Sequence, residues 1–153
     1  MFSLDLPQSF SLASVSSELL KSDSVAPYLC VNRIQASAWL YGAEGEDPHS
    51  ARVLDLGCGD ASHLLPFALS YPQARIIGID LSPNKIEAGQ FQMRLAGIDN
   101  IQLFCADLAT ILGGIDQTFD YIIIHNVFSL LDAESRKALF AFCRQHLSLK
   151  GII

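Results

Sequence analysis

The chain has 153 residues, half of them hydrophobic, and a formal net charge of −6 at pH 7. That length suits one domain around one core, the composition excludes a disordered chain, and the acidity makes a poor electrostatic footprint for DNA or RNA. The four cysteines, Cys30, Cys58, Cys105 and Cys143, form no C-x-x-C pair, so they read as small apolar fillers and no metal centre is expected.

Residues 1–24 are rich in serine and lack the basic start and apolar run of a secretory signal. No apolar run is long enough to span a bilayer, so a cytoplasmic protein is expected. Residues 26–41 carry Tyr28, Leu29, Val31, Ile34, Ala38, Trp39 and Leu40 at roughly helical spacing, which predicts an amphipathic helix. Residues 42–50, GAEGEDPHS, read as a linker from their glycines, proline and clustered polar groups. The expected organisation is a leader, helix and linker over residues 1–50, followed by one domain over 51–153.

The domain alternates short apolar runs with helical patterns. Strands are predicted at 51–56, 75–81, 100–106 and 119–125, and a fifth barely begins in the closing LSLKGII. Helices are predicted at 62–71, 82–96, 108–112 and 132–147. Ser82 and Pro83 suit a helix start, and Gly97 suits a helix stop. Strands alternating with helices imply an α/β, doubly wound parallel sheet with helices on both faces. Such sheets bind ligands beyond the carboxyl ends of their strands, where the strand order reverses.

The residues at those ends carry the functional signal. The first strand runs into Asp55-Leu56-Gly57-Cys58-Gly59, a glycine turn that lets a ligand approach the backbone. Read alone, it is equally a tight strand-to-helix turn. The second strand ends at Asp80, whose carboxylate suits a ribose diol; the plainer reading is a helix cap, for which Ser82 is better placed. The third ends at Ala106-Asp107-Leu108, where an acid suits an adenine amine or caps a short helix. The fourth ends at His125-Asn126, and His125 reads as a satisfied strand-end histidine before it reads as a base. Together the glycine turn and two successive strand-end acids line up ribose and adenine contacts along one rim.

In these segments the sequence resembles the class I (Rossmann-like) S-adenosylmethionine-dependent methyltransferases. VLDLGCGDA (53–61), IIGIDLS (76–82), FCADL (104–108) and FDYIIIHNVFSLL (119–131) are similar to four successive motifs of that family. The stretch from GCGDA to EAGQ further resembles members that carry a downstream regulatory domain, some of which methylate protein lysines. The resemblance implies that Gly57, Cys58 and Gly59 pass under the methionine part of the cofactor. It implies that Asp55 braces the turn and meets the cofactor's amino group through water. Asp80 would hold the ribose, with Leu81 against the adenine, and Asp107 the adenine amine, between Ala106 and Leu108. His125 would lie near the sulfonium, and Asn126 and Tyr28 would line the acceptor pocket. Ala61 stands where the family's third glycine usually does.

The implied activity is methyl transfer from S-adenosylmethionine to a protein or small-molecule acceptor, with nucleic acid and membrane disfavoured as partners and no catalytic residue assigned. Two alternatives stay open: a cofactor- or partner-binding fragment without catalysis, and a nicotinamide-dependent oxidoreductase, against which Ser62 occupies the third glycine position of G-x-G-x-x-G. The resemblance also implies that the sheet is incomplete at its carboxyl-terminal end, leaving the fourth strand as an edge that pairs with a second copy.

Overall fold

Five apolar stretches form strands, and all five pair in parallel in a computed structural model that describes residues 29–111 and 114–153. Tyr28, and with it the leader over residues 1–24, lies outside the described residues. The elements follow in the order α1 (Val31–Leu40), β1 (Arg52–Leu56), α2 (Leu65–Ser70), β2 (Arg75–Asp80), α3 (Pro83–Ala96), β3 (Ile101–Cys105), α4 (Leu108–Ile111), β4 (Phe119–Ile124), α5 (Ala133–His146) and β5 (Leu147–Ile152). The strand order is β3-β2-β1-β4-β5. It runs outward from β1 to β3 and then reverses at the β1/β4 boundary.

Side chains alternate across each strand, and the alternation builds two cores. Val53, Ile76, Ile101, Leu103, Tyr121 and Ile123 face one side, beneath Phe67 and Ala68 of α2 and Ile86 and Met93 of α3. Leu54, Leu56, Ile79, Phe119 and Ile122 face the other, beneath Leu139, Phe142 and Cys143 of α5. Val53, Leu54 and Leu56 are completely buried, each contributing about 1.5–3 kcal/mol by leaving water. The α5 residues recur at helical spacing, and Asp132 caps that helix by accepting the Ser135 N–H at 2.7 Å.

Several expectations are corrected. The last strand is no fragment: β5 has six residues and pairs with β4, through a register shift between Phe119 and Tyr121. Among the described residues the outer strands of the sheet are therefore β5 and β3, and β4 lies inside it. The run LSLKGI is short, contains Lys150 and Gly151, and buries none of its residues fully, with Leu149 entirely exposed, so its local signal for a strand is weak. The helix expected from residue 62 begins at Leu65. Ala61 takes a left-handed φ of +58°, which breaks the chain into turns before the helix starts. The stretch read as a linker is pinned at Glu46, whose carbonyl accepts the Tyr121 hydroxyl at 2.6 Å and the Gln35 amide at 3.0 Å. Burial and the neighbouring carboxylates Asp120, Glu46 and Asp47 push the Tyr121 phenol up to about 12. Of the cysteines, Cys58 and Cys143 are buried fillers, but Cys105 is exposed.

Candidate functional site

Four strand ends meet on one rim around the point where the strand order reverses. The β1 end supplies the turn at Gly57 and Gly59, both with positive φ (+88° and +62°). The Gly57 and Cys58 N–H groups donate to the Ile79 carbonyl of β2 at 2.7 and 3.0 Å, so the turn is strapped across two strands. Cys58 tucks its sulfur over Gly78, where an added Cβ would lie 2.8 Å from it. Burial and the charges of Asp55, Asp80 and Asp60 push the Cys58 thiol far above its ordinary range. This sulfur is a buried packing group.

The two glycines differ in what they face. A Cβ on Gly57 would stand 2.2 Å from a Val127 methyl, so this glycine admits the loop after β4. A Cβ on Gly59 would meet only the Lys85 stem, at 3.9 Å. Close approach by a ligand is therefore possible at Gly59, while the corresponding space over Gly57 is filled by the chain itself.

Asp80 is buried, and both its oxygens are engaged. One accepts the Gly59 N–H at 2.8 Å and the other the Ser82 N–H at 2.9 Å. It thus ties the glycine turn to the start of α3. The expectation that Ser82 caps α3 is corrected: its side chain makes no capping bond, although Ser82 occupies the capping position. The Asp80 carbonyl accepts the Ala106 N–H at 3.0 Å, linking β2 to the β3 end. Leu81 points outward and is 55% exposed.

At the β3 end, Ala106 and Leu108 pack partly into the α5-side core. Between them Asp107 is half-buried, and its carbonyl accepts the Thr110 N–H and hydroxyl at 3.0 and 2.7 Å. At the β4 end, His125 is half-buried and Asn126 is exposed with a φ of +57°. That left-handed residue turns the chain so that Val127 reaches Gly57. Arg136 of α5 holds the far side of this loop, donating to the Phe128 carbonyl at 3.0 Å.

Asp55, placed on β1 between Leu54 and Leu56, is 1% exposed. Its carboxylate accepts from Nε2 of His63 at 2.5 Å, and the His63 side chain is only 12% exposed. Sequence reasoning missed His63. No periodicity or motif marks it, because its partner comes into reach only through the turns at residues 60–64. The structure thus gathers Asp55, Gly57, Cys58, Gly59, Asp80, Leu81, Ala106, Asp107, Leu108, His125 and Asn126 at adjoining strand ends and adds His63.

Elsewhere, a cavity of about 510 Å³ opens at the amino ends of the strands, beside Arg52, Ala74, Asn100 and Gln117. Its Arg52 guanidinium is already committed to Asp120 and Thr118. Among the described residues, no three His, Cys, Asp or Glu side chains are grouped to hold a metal ion, and no helix is long and apolar enough to cross a membrane.

The profile of a family described as a methyltransferase domain matches residues 53–151. The chain is 33% identical over 128 residues to the uncharacterized protein RP789 of Rickettsia prowazekii, covering 82% of this chain and 23% of that protein. The structure of PKMT2 from Rickettsia typhi in complex with AdoHcy superposes with a TM-score of 0.73 at 30% identity, over 82% of this chain and 24% of that one. A structure of an S-adenosylmethionine-dependent methyltransferase from Clostridium acetobutylicum shares the fold, with a TM-score of 0.63 at 20% identity, over 84% of this chain and 48% of that one. The chain therefore spans about a quarter of the first two and under half of the third.

Proposed function

We propose, from the premise that this chain belongs to the methyltransferase domain family, that it is the S-adenosylmethionine-binding part of an enzyme that methylates a protein lysine or a small molecule. The observation that carries the reading is the convergence of the open backbone at Gly59, the Asp80 carboxylate and the His125–Asn126 loop around the reversal of strand order. A doubly wound sheet holds its ligand at that point.

The donor set fits this cofactor. Each Asp80 oxygen accepts one backbone N–H and keeps lone-pair capacity for a ribose hydroxyl. Asp55, Asp60 and Asp80 concentrate negative charge around the turn, which favours a ligand carrying a sulfonium and an ammonium. In this reading Asp55 receives the ammonium through water, and the exposed Leu81 lies against the adenine. Asp107 accepts the adenine amine between Ala106 and Leu108.

When bound, the cofactor supplies an electrophilic methyl group. The chain's own residues align and exclude. The turn at Gly59 and the Asp80 carboxylate would hold the cofactor, with Gly57 admitting the loop after β4, and His125 and Asn126 would stand on the acceptor side and help orient the acceptor for in-line attack. A protonated lysine acceptor would also have to lose its proton; no residue is assigned to that step. A reducing compartment such as the cytoplasm suits the four free thiols.

Calorimetric titration of the chain with S-adenosylhomocysteine, with NADH as the control, tests the reading. Micromolar binding of the first alone is expected. Binding of NADH in preference would replace the reading with that of a nicotinamide-dependent oxidoreductase.

A further inference from the structure

We infer that His63 is a positioning residue, which holds the Asp55 carboxylate in the orientation that receives the amino-acid end of the cofactor. The inference rests on the cofactor reading above and adds to it a residue outside the glycine turn and the strand-end acids.

Asp55 projects from β1 onto the face that carries Val53, Ile76, Tyr121 and Ile123, all buried. A carboxylate in such surroundings is costly unless a strong donor meets it. His63 is that donor, at 2.5 Å and itself mostly buried. An ionised carboxylate only accepts hydrogen bonds, so Nε2 carries the proton, and the bond is charge-assisted and directional.

The loop that delivers His63 is held by its own hydrogen bonds. Asp60 accepts the Ser62 N–H at 3.1 Å and its hydroxyl at 2.8 Å. Ala61 sits at a φ of +58°, a conformation that L-residues other than Asn and Asp rarely adopt. The Ala61 N–H donates to the Cys58 carbonyl, and the Leu64 N–H to the Ala61 carbonyl. These bonds turn the chain back toward β1 before α2 begins, and they bring residue 63 to Asp55. Strained backbone that the surrounding bonds over-determine is found where geometry matters to function.

The test compares two ligands. S-adenosylhomocysteine carries the amino-acid end, whereas 5′-methylthioadenosine shares the adenosine part and lacks that end. Both are titrated against the 153-residue chain and its H63L, H63N and H63Q variants. Glutamine reaches as far as Nε2 and donates from an amide; asparagine falls short, and leucine offers no donor. H63L and H63N should lose about tenfold in affinity for S-adenosylhomocysteine, as expected for removing a hydrogen bond to a charged group. Their affinity for 5′-methylthioadenosine should hold within about twofold, and H63Q should recover most of the loss. In a D55N background, H63N should add nothing further.

Equal losses for both ligands, or an H63Q variant no better than H63N, would reduce His63 to a fold-stabilising residue and overturn the inference. Unchanged affinity in H63N would overturn it too. If H63L fails to fold, H63N and H63Q decide the matter alone. If the wild-type chain binds neither ligand, the cofactor reading falls and takes this inference with it; if it binds both, only the role of His63 is at stake.

Discussion

Gly57 and Gly59 are two positions apart in one turn, yet they answer to different constraints. An alanine at Gly57 would drive its Cβ into Val127 at a φ of +88°, so G57A should destabilise the fold by about 2–3 kcal/mol through overpacking and strain together. At Gly59 only the left-handed backbone and a loose contact with Lys85 oppose a side chain, so G59A should cost about 1–2 kcal/mol. The order should invert in ligand binding per folded molecule, with G59A losing more affinity for S-adenosylhomocysteine. Thermal melts followed by circular dichroism, paired with calorimetry, read both orders. Asp80 combines the two kinds of role. Because its oxygens hold the Gly59 and Ser82 N–H groups, D80A should lower the melting temperature as well as the affinity, whereas D80N keeps one acceptor and should fall between. An affinity loss in D80A without any thermal shift would mean that these two bonds do not brace the turn.

Among the elements, β1 is fastened at its start by an ion pair. Arg52 donates its backbone N–H, Nε and Nη2 to the buried Asp120 at 2.8–3.1 Å, and Nη1 to Thr118. Burial pushes the Asp120 carboxyl up, but the hydrogen bonds and charge of Arg52 outweigh it, and the net shift is downward. A depressed carboxyl contributes stability above its unfolded value, near 3.9, and loses it as pH falls through the lower folded value. The melting temperature should therefore drop below about pH 4, and less steeply in D120N than in wild type. D120A strands the Arg52 donors at neutral pH and should cost about 2 kcal/mol, because Arg52 is itself part-exposed and water can meet some of them. Equal acid sensitivity in D120N and wild type would assign the pH response to other carboxylates.

At the scale of the whole molecule, the sheet ends at β5 on one side and β3 on the other. Among the described residues β5 is an outer strand of this sheet, and it carries Leu149, which is fully exposed, and is followed by Ile153, 54% exposed. Trp39, Leu40 and Tyr41 of the α1 end are exposed too. An outer strand with exposed apolar side chains can recruit another strand, and we propose that two copies of this chain associate in solution there. Light scattering over a dilution series should show self-association that L149K suppresses, since a lysine on the edge strand opposes pairing. A monomer at every concentration would remove the proposal.

The sequence by itself determined the strands β1 to β4, the glycine turn and the acids at the strand ends. These are local patterns: short apolar runs that are mostly buried leave little choice of element, and a strand-end residue inherits its place from the strand. It also placed the start and stop of α3, where Ser82, Pro83 and Gly97 stand in order. Only the tertiary structure decided the rest. β5 forms because β4 offers a free edge, a fact no window over LSLKGII contains. Asp80, not Ser82, serves the start of α3, because the neighbouring β1 turn draws the same carboxylate into a bridge. Gly57 answers to Val127, some seventy positions away along the chain. His63 reaches Asp55 because a left-handed Ala61 folds the turn back on the strand. Local preferences choose elements; partners distant along the chain choose what each side chain at the rim is for.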